Sequence, residues 1–198
     1  MNAETPRSIF SDISWPQETA RLLLRPAVPA DAEATWAYRR FPQVTHWVTS
    51  AWEDLDGYRE SFLLPERLGT RLVLERDGRV IGEVMVQPVE AWSQRENADS
   101  AVGTEAELGW AIDPVFAGHG LATEALERVF RLCFGDLGLR RVTARCFSGN
   151  EPSWRLMERL GMRRESHLVA AALHREHGWM DGYGYALLAT EWDAIRQS

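Results

Sequence analysis

The chain has 198 residues, 45% of them hydrophobic and 26% charged, with a formal net charge of −7. That length suits one domain with a sizeable buried core, and an acid excess without any basic run argues against gripping a nucleic-acid backbone. No stretch of about eighteen apolar residues occurs and no basic segment leads into an apolar one, so a cytoplasmic protein without membrane association is expected. A cationic partner suits such a surface better than an anionic one. Cys133 and Cys146 each sit in an apolar run, which points to buried free thiols rather than a bridge.

Met1 to Pro16 is polar and irregular and reads as a loosely held, flexible arm, with residues 17–198 as the single domain. Arg21 to Pro26 reads as a strand stopped by proline. A helix is expected over Pro29 to Tyr38, opened by proline and early acids, and a second over Leu55 to Leu64. Between them lies a loop carrying His46, Trp47 and Trp52. Arg71–Glu75 and Val80–Val86 alternate as strands across Asp77-Gly78, a strong hairpin signal. Pro88 to Thr104 is polar and periodless; it reads as a hairpin tip, with a substrate lid as the alternative.

The centre of the sequence is the run from Ala106 to Leu126. Leu108, Trp110 and Ile112 alternate with Glu107, Gly109 and Ala111 as a strand does. Asp113-Pro114 ends it, and Gly118 and Gly120 let the backbone curl. From Ala122 the spacing turns helical, with Ala125, Leu126, Val129, Phe130 and Cys133 on one face, Glu124/Arg128 and Glu127/Arg131 pairing at i,i+4, and Gly135 as the stop. A glycine loop feeding a helix N-terminus offers unpaired N–H groups and the positive dipole end to a phosphate; a glycine-rich connection with no ligand is the plain alternative. No Gly-Lys-Ser/Thr closes the loop as a P-loop requires, and Thr123 stands where a dinucleotide fingerprint needs a third Gly or Ala.

After this run, Arg141–Phe147 reads as a strand, and Asn150 caps a helix from Glu151 to Leu160 closed by Gly161. Glu165–Arg175 and Tyr183–Ala189 follow. Leu168 to Leu173 passes for helix on propensity. His174 and His177 have metal-pair spacing, but no third ligand accompanies them and no metal is expected. Interleaved strands and helices give an α/β layer.

Asp-Pro followed by Ala117-Gly118-His119-Gly120-Leu121-Ala122 resembles the acetyl-CoA loop of the GCN5-related N-acetyltransferases, Gln/Arg-x-x-Gly-x-Gly/Ala. Gly120 and Ala122 match that pattern; Ala117 departs from it. Glu-Leu-Gly-Trp before the loop and Ala-Thr-Glu-Ala-Leu after it look most like the branch that modifies ribosomal-protein N-termini. Asn150-x-x-Ser153 with Arg-Leu-Met-Glu-Arg-Leu-Gly-Met resembles the family's cofactor-side helix. The resemblance runs from about Arg21 to Trp192. It implies a central mixed, mostly antiparallel sheet of about seven strands flanked by about four helices, with strands splayed at the cofactor site. It also argues for strand at Leu168–Leu173.

The resemblance further implies acetyl-CoA as co-substrate, bound by Ala117, Gly118, His119, Gly120, Leu121, Ala122, Thr123, Asn150 and Ser153, with backbone at Ala111 and Ile112 able to meet an oxyanion. At His119 the backbone N–H is expected to bind while the side chain faces solvent. The acceptor would be a primary amine, either a protein N-terminus or a small cationic amine, and the chain a monomer or homodimer. An alkyl amine with a pKa near ~10 must lose a proton before it attacks. Glu107 matches the position of the branch's carboxylate base, and Glu83 is a second carboxylate to weigh. Met157 replaces the tyrosine that many members use as acid. Ser153 matches the serine proposed for that role, and Tyr183 and Tyr185 are alternatives. A CoA-binding module without catalysis, or the same fold with another nucleotide, remains open.

Overall fold

A computed structural model describes residues 8–197 of the chain. The elements run β1 (Gln17–Glu18), β2 (Leu23–Pro26), α1 (Asp31–Arg39), α2 (Pro42–Thr45), α3 (Leu55–Phe62), α4 (Pro65–Leu68), β3 (Arg71–Arg76) and β4 (Arg79–Val89). They continue with α5 (Ala98–Ala101), β5 (Glu105–Ile112), α6 (Leu121–Arg131), β6 (Arg141–Phe147), α7 (Glu151–Arg159), β7 (Arg163–His174), β8 (Gly178–Leu188) and α8 (Ala189–Gln197). The fold is mixed α/β and mostly antiparallel, as expected, with eight strands among the described residues where about seven were expected. The chain gathers into two compact units, one up to Val86 and again over Trp110–Ala125, the other over Gln87–Gly109 and from Leu126 on.

In the first unit β1, β2, β3 and β4 pair antiparallel in chain order. The Asp77-Gly78 turn has φ of 51° and 75°, the left-handed pair that a two-residue hairpin needs. Gly82 on β4 faces a tight approach: a Cβ there would lie 2.9 Å from the Ala111 carbonyl oxygen, so only glycine fits. Asp54 caps α3 by accepting the Gly57 N–H. Behind these strands Ala27, Ala32, Tyr58, Phe62 and Val73 are buried together, with Trp36 and Trp52 packed on them, so Trp52 is a core residue. Residues 1–7 of the expected arm lie outside the described residues. From Ser8 on the chain is held: Phe10 is 1% exposed, and the Ser8 hydroxyl donates to the Gly69 carbonyl. An aromatic ring in a polar stretch has more to gain from burial than from freedom.

In the second unit β5 pairs parallel with β6 only over Glu105↔Arg141, Ala106↔Val142 and Glu107↔Thr143, although both strands run on. β6 instead keeps β8 as antiparallel partner along its whole length, and β8 carries β7 outside it. Leu168–Leu173 is strand, since cross-strand pairing to β8 overrides alanine's helix propensity. Phe130 of α6 meets Trp192 of α8 edge-on at 5.4 Å, which ties down a helix absent from the sequence expectations. No helix among the described residues is long and apolar enough to cross a membrane.

Candidate active site

The glycine loop forms where the sequence placed it. Asp113 ends β5 with a side chain that accepts the Val115 N–H at 3.1 Å and the Arg79 guanidinium at 2.7 Å, and a tight turn over Pro114–Phe116 follows. Gly118 and Gly120 both have positive φ, 78° and 74°, a conformation that side chains disfavour. Nothing lies within 4 Å of the place a Cβ would take on Gly118. Helix α6 then starts at Leu121, and the Glu124 N–H to Gly120 carbonyl bond of 3.1 Å closes its first turn. The N–H groups of Leu121, Ala122 and Thr123 therefore have no acceptor within the helix. An open, left-handed loop with spare donors at a dipole's positive end fits a pyrophosphate.

Glu124 does not pair with Arg128 as the i,i+4 spacing suggests. Its carboxylate accepts the Thr19 hydroxyl at 2.6 Å, the Arg21 N–H at 2.7 Å and the Arg21 Nε at 2.7 Å. Three donors from one turn outcompete a single arginine on the helix surface. Arg21 also donates from Nη1 to the His119 carbonyl at 2.9 Å. Sequence reasoning passed over Arg21, because no local rule links residues about a hundred positions apart.

At the other expected segment, the Asn150 side chain accepts the Ser153 N–H at 3.3 Å and so caps α7. Ser153 hydrogen-bonds the Cys146 thiol, which burial pushes up to about 11 against the pull of Ser153 and Arg164. Met157, where a tyrosine was weighed, is fully buried. Both cysteines are free thiols, but only Cys133 is buried as expected, raised by burial to about 12, while Cys146 is partly exposed.

A sequence model described as the acetyltransferase (GNAT) domain matches residues 21–163. The chain belongs to this family. The uncharacterized N-acetyltransferase YnaD of Bacillus subtilis is 36% identical over 87 residues, a stretch that covers 44% of this chain and 51% of YnaD. The chain thus aligns with about half the length of that relative. Among solved structures, the ribosomal-protein-S5-alanine acetyltransferase of Vibrio fischeri superposes with a TM-score of 0.74 at 17% identity, over 90% of this chain and 99% of that one. Mycobacterium smegmatis RimJ in complex with CoA-disulfide gives a TM-score of 0.67 at 22% identity, over 88% and 89% of the two chains. Both share the fold. By class the chain is an N-acetyltransferase.

Within this acetyltransferase the two weighed carboxylates differ. Glu107, on β5, is 24% exposed at its side chain and receives Arg145 Nε at 3.1 Å and Nη2 at 2.7 Å, a bidentate pair that raises the Arg145 guanidinium. Arg145 follows from the ladder: Glu107 lies opposite Thr143, and Arg145 is two residues further along the same face of β6. Glu83, on β4, is 2% exposed and ion-paired with both Arg39 and, at 3.1 Å, Arg71. Tyr185 is buried, donates to Glu158 at 2.8 Å and accepts Arg164 Nε at 2.7 Å. Burial pushes its hydroxyl up to about 12, with the Glu158 bond adding and Arg164 opposing, so it holds its proton tightly. Tyr183 packs under the Arg164 guanidinium at 4.2 Å.

Of the His-x-x-His pair, the His174 side chain serves the β7–β8 turn. His174 is 3% exposed, and its Nδ1 accepts the backbone N–H groups of Glu176 and His177 at 3.1 and 3.2 Å. A ring nitrogen used that way is a turn acceptor. His119 is exposed in the loop, as expected, and its carbonyl is the group that Arg21 holds.

Proposed function

We propose that this protein transfers the acetyl group of acetyl-CoA to a primary amine by direct attack within a ternary complex. The observation that carries this reading is the loop with two left-handed glycines opening α6, where Leu121, Ala122 and Thr123 have N–H groups to spare. Ala117 to Thr123 would hold the pyrophosphate, and the Asn150 and Ser153 segment the amide-bearing arm, as the family resemblance implies. RimJ, which shares the fold, is described in complex with CoA-disulfide, in keeping with a CoA ligand.

The thioester supplies the electrophile. Attack forms a C–N bond, breaks the C–S bond, and leaves the thiolate to collect a proton. Glu107 takes the amine's proton, directly or through a water, and backbone at Ala111 and Ile112 faces the developing oxyanion. Glu83 is a poor candidate for the base, being buried and already held by two guanidinium groups. Ser153 donates to the thiolate or positions the water that does. A protein N-terminus and a small cationic amine both suit the net charge of −7, and the Vibrio fischeri enzyme is named for an alanine of ribosomal protein S5. The second reading, CoA binding without catalysis, draws on buried Met157 in place of the acid and on the Arg145 clamp over Glu107.

The test is an acceptor screen with acetyl-CoA, a panel of amines and N-terminal peptides, and thiol release as readout, alongside calorimetry of Gly120→Val. Amine-dependent release in wild type and lost acetyl-CoA binding in the variant are expected, because valine disfavours φ of +74°. Tight binding without release across the panel would leave the binding module. Wild-type affinity in Gly120→Val would remove the loop from the site. The 198-residue sequence contains no lysine, so any acetyl group found on a lysine belongs to an acceptor.

A further inference from the structure

We infer that Thr19, Arg21 and Glu124 form a brace that sets the glycine loop in its cofactor-binding shape before any ligand arrives. The inference rests on the reading of loop 117–122 as the acetyl-CoA loop. Its geometry is a closed circuit. The Arg21 guanidinium spans the His119 carbonyl, at 2.9 Å, and the Glu124 carboxylate, at 2.7 Å. The Arg21 backbone N–H and the Thr19 hydroxyl occupy the other carboxylate oxygen. Thr19 is fixed in turn, its hydroxyl oxygen accepting the Leu22 N–H at 2.9 Å and its backbone N–H donating to the Leu22 carbonyl at 2.9 Å. Glu124 N–H returns to the Gly120 carbonyl, so His119 and Gly120 are both tied to Glu124, one through Arg21 and its carboxylate, the other through its backbone.

Glycines permit the loop's shape without selecting it, because glycine visits many other conformations as readily. Something else must select the bound shape, or the ligand has to order the loop at a cost in affinity. Charge-assisted hydrogen bonds from outside the loop supply that selection. Burial works to raise the Glu124 carboxyl, but its bonds to Thr19 and Arg21 win and hold it below its ordinary value. The brace is therefore charged at neutral pH. Arg21 acts through the loop as a positioning residue, and its guanidinium lies beside Gly120, whose positive φ of 74° is the constraint at that position.

Arg21→Ala, Arg21→Lys and Glu124→Gln would be compared with wild type by amide exchange of the ligand-free protein and by calorimetry with CoA. In Arg21→Ala, exchange over 117–125 should rise about tenfold with the rest of the chain unchanged, and the CoA dissociation constant should rise by a similar factor. Arg21→Lys should recover part of both, since an ammonium reaches one of the two acceptors at a time. Unchanged loop exchange in Arg21→Ala would overturn the brace, as would faster exchange spread evenly over the chain. Faster loop exchange with unchanged CoA affinity would overturn its role in binding. Should wild type fail to bind CoA, the acetyl-CoA reading falls, while the ligand-free exchange data still judge the brace.

Discussion

Glu83 and Glu107 both sit on strands and both meet arginine, yet their surroundings differ. Glu83 is buried between Arg39 and Arg71, a cluster with one more positive charge than negative in a site with little water. Removing two such guanidinium groups from water is repaid only while the carboxylate stays with them. Glu107 keeps about a quarter of its side chain exposed and has one partner, Arg145, itself 69% exposed. Solvent reaches both members of that pair, so it is less confined than the cluster at Glu83. Burial and partner number thus separate a carboxylate locked into the fold from one that solvent can reach.

The sharpest way to break the comparison is Glu107→Gln. Turnover with the proper amine should fall by about 10²–10⁴-fold, the usual range for losing a general base, while acetyl-CoA affinity barely changes. Raising the pH should restore part of the rate, because more amine then arrives neutral. Steady-state kinetics across pH would check this, and an unchanged rate at neutral pH would move the base elsewhere.

Glu83→Gln should reverse the pattern. Leaving Arg39 and Arg71 without their anion should cost about 3–5 kcal/mol of stability, visible in a denaturant melt, while the folded fraction turns over far better than Glu107→Gln. Loss of turnover as deep as in Glu107→Gln, without loss of stability, would end the distinction.

A third carboxylate separates burial from partner number. Glu165 has two arginines, as Glu83 does, but its side chain is 31% exposed. Its bond to Arg141, then that to Arg163, holds its carboxyl down at about 2. A depressed folded value means that the stabilisation is full above the ordinary carboxylate range near ~4.3 and fades as pH falls toward 2. Glu165→Gln should therefore lower stability by less than about 1 kcal/mol at pH 7, and the difference should vanish near pH 2. A loss as large as that of Glu83→Gln would show that partner number, not burial, governs.

The parts of the fold legible in the sequence are those governed by short-range rules. Alternation marked β5, Asp77-Gly78 marked its hairpin, and Asn150 marked the start of α7. Pro42 and Pro65 each open a four-residue helix that the reading missed although the signal of proline in a first turn was present. Leu168–Leu173 was misleading locally, since its strand state depends on β8. The loop was legible through its glycines, but its support was not: helix spacing offered Arg128 to Glu124, and the actual partner lies 103 residues away.

The Thr19–Glu124 bond also bears on where this domain can be cut. The family match begins at residue 21, yet Thr19, strand β1 and the buried Phe10 all lie upstream of it. A fragment trimmed to that boundary would carry every residue proposed to touch acetyl-CoA and still start with a new, charged amino terminus on the arginine that steadies the loop. The folded domain therefore extends upstream of the boundary that sequence similarity draws, and a tag or fusion partner belongs ahead of Ser8 rather than at Arg21.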